Sequence, residues 1–238
     1  MNNFIQKYKI YGPKKFLEFS LKEIYRKLFF ELIRESYSQK GEDLTIDSLL
    51  NNKRTGFYVD IGAYDPDRFS NTKRFYRKGW SGINIEPDYE NYSRFKSKRV
   101  RDININIGIG LKRATLPFYR FFPATLSTFS KTEAEKCKKL GYKFIGIRKV
   151  GVARLGEVLE KYFKGKNIDF FSIDTEGFDM EALKSNDWKR FKPKIICIES
   201  SSHSLSRKHA KYDYESLLSK YGYKKIYDNN LNTIFLKK

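Results

Sequence analysis

Only two cysteines, Cys137 and Cys197, occur in the sequence, and neither belongs to a CxxC pair or to a metal-ligand spacing. That argues against a disulfide framework and fits a reducing cytosol. No apolar run reaches 18 residues, so no segment is expected to span a membrane. The first residues lack the apolar stretch and small-residue cleavage site of a secretory signal, and the expected location is cytoplasmic. Histidine is almost as scarce, with His203 and His209 the sole examples. Internal repeats, low-complexity tracts, an arginine-rich tail, zinc-finger spacing and an aromatic ribonucleoprotein signature are missing too. Nucleic acid is therefore not the expected partner.

What is present suffices for one packed domain with a modest extension: 238 residues, 40% hydrophobic and 16% aromatic. Lysine and arginine total 48 against 28 acidic residues, a formal net charge of +20. A field of that sign draws phosphate-bearing molecules and anionic surfaces, although the basic residues are scattered, as on ordinary solvated faces. Residues 14–36 read as a helix, in which Leu17, Leu21, Ile24, Leu28 and Leu32 recur at three- and four-residue steps and lysines decorate the remainder. Two readings stay open for it. One is a peripheral helix on a membrane surface. The other is a helix packed on its own domain or on a second copy in a homo-oligomer.

From residue 56 the pattern alternates. β-rich runs at 57–62, 82–86, 102–110, 168–174 and 195–199 are separated by helical stretches near 70–78, 89–97, 154–163, 179 onward and 213–221. Such alternation predicts a doubly wound α/β fold with a mostly parallel sheet covered on both faces. Two closing strands, near 223–227 and 233–236, are joined by so short a linker that they must pair antiparallel. Extra strands near 114–121 and 144–152, around a helix near 131–140, form a β-rich insertion over about 111–152.

Ligands of doubly wound sheets bind outside the carboxyl ends of the strands. Asp60 with Gly62, Glu86, Asp174 with Glu176, and Glu199 stand at four such ends, where unpaired carboxylates cost desolvation energy. Val59-Asp60-Ile61-Gly62-Ala63 has one glycine and lacks the full GxGxxG that cradles a pyrophosphate. Glu86 lies 26 positions beyond Asp60, near the spacing at which an acid accepts hydrogen bonds from ribose hydroxyls. A ribose without a pyrophosphate points to an adenosyl ligand.

The segments SQKGEDL (38–44), FYVDIGAYDPDRFSNTKRFYRKGWSGINIEPD (57–88), RDININIG (101–108), IDFFSIDTEGFDMEALKSNDW (168–188) and PKIICIE (193–199) resemble those of FkbM-type methyltransferases. The likeness runs from about residue 38 to the C-terminus. It implies a class I, Rossmann-like seven-stranded sheet with an antiparallel last strand over 38–238, preceded by the helical extension 1–37. It also implies an enzyme that uses S-adenosylmethionine to O-methylate a small hydroxylated acceptor, a nucleotide-linked or glycan sugar. By position, the resemblance assigns Asp60, Gly62 and Ala63 to the methionine part of the cofactor and Glu86 to the ribose. Ser70 and Asn71 are assigned to the amino-acid carboxylate, and Asp102 or Asn106 to the adenine edge. Two departures from the family pattern are Tyr64-Asp65, where Asn and a small polar residue are commoner, and Thr175, where Val is.

A sugar hydroxyl is a weak acid and needs a base or a metal before it attacks. The candidates are Asp174, Glu176, Glu199 and His203, the last in the polar loop SSHSLSRKHA. A divalent metal on Asp174, Glu176 and His203 is an alternative, since hard oxygen ligands with one imidazole suit magnesium or manganese. Two rival functions are an RNA-directed methyltransferase and a non-catalytic membrane-surface or scaffold protein that kept the fold. Against the first, no lysine occupies the loop 174–179; against the second, Asp60, Gly62 and Glu86 are intact.

Overall fold

A computed structural model describes residues 12–14, 17–18, 20–33, 35–165, 167–200 and 213–238. Short runs of isoleucine, valine and phenylalanine build β1 (Phe57–Ile61), β2 (Ser81–Ile85), β3 (Ile103–Ile105), β7 (Phe170–Ile173) and β8 (Ile195–Glu199). They pair in parallel in the spatial order β3-β2-β1-β7-β8. The closing hairpin, β9 (Tyr223–Asp228) and β10 (Asn232–Lys237), completes seven strands, with β10 inserted antiparallel between β8 and β9. This is the expected doubly wound sheet with an antiparallel end.

Strand alternation sorts the core into two layers. Val59, Ile61, Ile83, Ile85, Phe171, Ile173, Ile196 and Ile198 face one side. There they pack on α5 (Leu155–Tyr162), α6 (Asp179–Ser185) and α7 (Tyr214–Ser219). Tyr58, Phe170, Ile195 and Cys197 face the other side, against α1 (Glu42–Leu49), α2 (Lys73–Arg77) and Trp80. Asp60, Ser172 and Glu199 share that second face, by strand parity. Helix α3 (Tyr89–Lys98) links β2 to β3 and is capped by Asp88, whose carboxylate accepts from Glu90 N.

Between β3 and α5 lies a separate three-stranded sheet, β4 (Gly108–Ile109), β6 (Lys143–Ala153) and β5 (Ala114–Phe122), in the order β4-β6-β5. A 3-10 turn, Ala124–Leu126, and α4 (Lys131–Lys139) connect β5 to β6. Phe118 and Phe129 pack with Val150 and Val152 in its own small core.

One expectation needs correction. The run 102–110 is not one strand: it divides at Asn106, whose Nδ2 donates to the carbonyls of Glu86 and Pro87 at 2.8 and 3.0 Å, so that β3 and β4 join different sheets. Helix α1 was not visible in the hydrophobic pattern, because much of its buried surface is acidic: Glu42, Asp43 and Asp47 are all enclosed. The basic residues that follow β1 are taken up in ion pairs. Arg68, Lys73, Arg74 and Lys78 pair with Glu23, Asp67 and Asp47 and bind the α2 region to its neighbours.

The N-terminal segment is helical over 20–25 and continues as a wider π-helical stretch, Arg26–Ile33. Among the described residues no helix is long and apolar enough to cross a membrane.

Candidate active site

The carboxyl ends of β1, β2 and β7 open into a cavity closed on the far side by the inserted sheet. Its empty volume, open mouth included, is about 930 Å³. Asp60, Gly62, Ala63, Asn71 and Glu86 line it, joined by Tyr64, Pro87 and Ile107. A second compartment, bounded by Glu133, Leu126, Thr128, Glu199 and Asn232, shares Gln39, Phe69, Thr125, Asp174 and Glu176 with the first. The two compartments are thus halves of one site, and Asp174 and Glu176 stand at the divide.

In the first half the carboxylates are held by the backbone. Glu86 accepts from Asp88 N at 2.7 Å and Tyr64 N at 2.8 Å, one bond per oxygen, which leaves each oxygen with further lone pairs for a diol. Burial pushes the Glu86 carboxyl up to about 7. Asp60 accepts from Thr72 Oγ1 at 2.8 Å, and burial raises it to about 6. Gly62 has φ +79°, and a Cβ there would lie 1.8 Å from the carbonyl oxygen of Asp174. Only glycine lets the β1 and β7 loops approach this closely.

Ser70 and Asp102 do not line the cavity. Ser70 is buried, with its Oγ 3.1 Å from Thr72 Oγ1 and from Arg99 Nη2. Asp102 precedes β3 and therefore sits at the amino ends of the strands, where it accepts from Tyr58 OH at 2.6 Å, Gly82 N and Asn84 Nδ2 at 2.9 Å. Arg99, wholly buried, donates to Tyr58 OH and to the Pro66 carbonyl. A continuous polar network therefore runs from Asp102 through Arg99, Ser70 and Thr72 to Asp60. Both residues stand behind the site rather than in it. Asn106 likewise fixes the β2 loop from outside the lining, whereas Asn71 does line the cavity and donates to Ser172 Oγ at 3.1 Å.

The second half is different. Asp174 Oδ1 is shut off from solvent and has no hydrogen-bond partner among the described residues. Burial, and then the charges of Asp179 and Asp60, raise the Asp174 carboxyl. Burial and the Asp174 charge likewise push Glu176 and Glu199 far above the usual carboxylate range. Glu176 adopts φ +52°, and its carbonyl accepts from Thr128 Oγ1 at 2.7 Å, which clips the β7 loop to the inserted sheet. Thr175, one of the departures from the family pattern, donates from N and Oγ1 to Asp179 Oδ1 at 2.9 and 3.0 Å, a bond that valine could not make from its side chain.

His203 and His209 lie outside the described residues. Among the described residues no group of three or more potential ligands is arranged to hold a metal ion. No lysine or arginine lines either half of the site among those residues. Phe69, Gln39 and Thr125 escaped sequence reasoning because they come from loops and the insertion, where no strand-end rule applies.

The strand order, with its antiparallel seventh strand and a site at the carboxyl ends of β1, β2 and β7, defines a class I methyltransferase fold. A putative caffeoyl-CoA O-methyltransferase from Staphylococcus aureus shares it, with TM-score 0.52 and 11% identity over 93% of this chain and 99% of that one. A methyltransferase from Geobacter sulfurreducens matches with TM-score 0.47 and 10% identity over 100% and 99% of the two chains. An O-methyltransferase from Bacillus cereus in complex with SAH matches with TM-score 0.43 and 11% identity over 98% and 96%. No curated protein matches the chain. The methyltransferase FkbM domain matches residues 60–225, and the chain belongs to that family of S-adenosylmethionine-dependent methyltransferases.

Proposed function

We infer that the protein transfers a methyl group from S-adenosylmethionine to a hydroxyl oxygen of a small acceptor, a sugar carried on a glycan or a nucleotide. Asp174 carries this reading, since its unpartnered oxygen stands at the wall common to both halves of the site. The first half fits the cofactor: Glu86 has lone pairs for a ribose diol, and Gly62 and Ala63 bring backbone close to the methionine portion. Bound there, the cofactor supplies an electrophilic methyl on a sulfonium.

The protein's own residues orient the acceptor and take its proton. Asp174 accepts the hydroxyl proton while the new C–O bond forms and the C–S bond breaks. A carboxylate raised toward neutrality by burial is a better base than one in water. Glu176 and Glu199, whose carboxyls burial and the Asp174 charge push well up, hydrogen-bond to neighbouring groups of a polyhydroxyl ring. Among the described residues the cavity is lined by acids and by no lysine or arginine, which favours an uncharged ring inside, with any phosphate left at the mouth, over an RNA backbone.

The test is mass spectrometry of glycans and nucleotide-sugars incubated with enzyme and cofactor. A gain of one methyl group on a sugar hydroxyl is expected. Calorimetry showing no S-adenosylhomocysteine binding, or methylation of RNA in preference to any sugar, would overturn the reading.

A further inference from the structure

The apolar stripe of the N-terminal helix does not pack on the domain. Leu17, Leu21, Ile24, Tyr25 and Leu28 are each 54–60% exposed, on a segment whose opposite side faces the body. Its orientation is fixed rather than incidental. Glu23 pairs with Arg68 at 2.9 Å, with both side chains about three-quarters covered. At 100° per residue Glu23 lies well around the helix from the stripe, so this tie turns the stripe outward. Tyr25 stacks on Phe29 at 5.5 Å. Lys14, Lys22 and Lys27 are exposed, Lys22 pairing with the exposed Glu18 at 2.7 Å, and Lys22 and Lys27 lie on opposite flanks of the apolar residues.

Two occupants compete for such a face. A second copy would bring together two lysine-rimmed stripes on chains that each carry a net charge of +20, and like charges oppose that contact. A bilayer with acidic headgroups supplies the opposite charge for the rim and an apolar layer for the stripe. The tyrosine suits the boundary between the two, with an apolar ring and a polar tip. We propose that this face lies on an anionic lipid bilayer, the leucines in the interfacial layer and Lys14, Lys22 and Lys27 among the headgroup phosphates. Arg68, which ties the helix down, stacks on Phe69 at 4.2 Å, and Phe69 lines both halves of the active site. Membrane contact therefore sets the site close to the lipid surface. The proposal does not depend on which acceptor is methylated.

Flotation of the full chain with phosphatidylcholine vesicles, with and without about one-third phosphatidylglycerol, tests it. Binding to the anionic vesicles is expected, falling on the order of tenfold or more in a Leu21→Glu, Leu28→Glu double variant. Replacing Lys22 and Lys27 by Gln is expected to cost roughly fivefold per lysine, and keeps the test decisive if the leucine variant misfolds. Retained S-adenosylhomocysteine binding and an unchanged melting temperature identify a folded variant. Equal binding to neutral vesicles, or none to either, overturns the proposal. So does a dimer seen by ultracentrifugation that the same leucine substitutions dissolve.

Discussion

The two halves of the active site are built from the same material, carboxylates at strand ends, yet they are held in opposite ways. In the first half Glu86 is fixed by two backbone amides and Asp60 by Thr72, itself supported by the buried Arg99 network. In the second, Asp174 has an unpartnered oxygen, and Glu176 and Glu199 are pushed up by burial and by the Asp174 charge. A half organised in advance binds without rearranging, which suits a cofactor that is the same in every turnover. A half left electrostatically unsatisfied gains most when an acceptor arrives, which suits catalysis.

Breaking the partition between the halves should have the largest effect. Gly62→Ala puts a Cβ against the Asp174 carbonyl at a backbone angle that L-residues avoid. A loss on the order of 3–5 kcal/mol is expected in chemical denaturation, and a loss under about 1 kcal/mol would mean that the two loops can part.

The halves should then separate in function. Asp174→Asn is expected to lower turnover by about 10²–10⁴ while cofactor affinity stays within a few-fold. Glu86→Gln should do the reverse, weakening S-adenosylhomocysteine on the order of 10–100-fold in calorimetry and sparing turnover at saturation. If both variants lose affinity and turnover alike, the halves are not separable.

The smallest effect is one of pH. Burial holds Asp60 near 6 and Glu86 near 7, so between about pH 4 and 7 the native state keeps protons that the unfolded chain has released. The stability these groups lend the cofactor-free protein is complete below about pH 4 and is lost as pH rises through their folded values. Cofactor affinity should move the other way, rising over the same window as Glu86 ionises to accept the ribose hydroxyls. Calorimetry in buffers of different ionisation enthalpy should show proton release on binding at pH 6. Proton uptake would contradict the assignment of Glu86.

The strand-end carboxylates of both halves were legible because apolar runs close on Asp60, Glu86, Asp174 and Glu199, and strand ends are where doubly wound sheets bind ligands. Asp102 misled for a reason that the chain direction contains. A residue before a parallel strand lies at the end opposite to residues that follow one, so Asp102 had to be far from Glu86's carboxylate. Helix α1 escaped because periodicity registers apolar faces, whereas Asp47 is buried against Arg74 and Lys78. The outward-facing stripe at 17–28 was plain as a pattern, but a pattern does not say whether a stripe is covered.

The inserted sheet shares no strand ladder with the seven-stranded sheet. Its Thr125, Leu126, Thr128 and Glu133 nevertheless bound the compartment assigned to the acceptor. Gly108, Ile109, Phe118 and Phe129 of the same insertion wall the first half as well, and Arg120 pairs with Asp88, whose amide holds Glu86. A change in that piece would therefore reach the cofactor wall as well as the acceptor's, so the two halves are not free to vary apart.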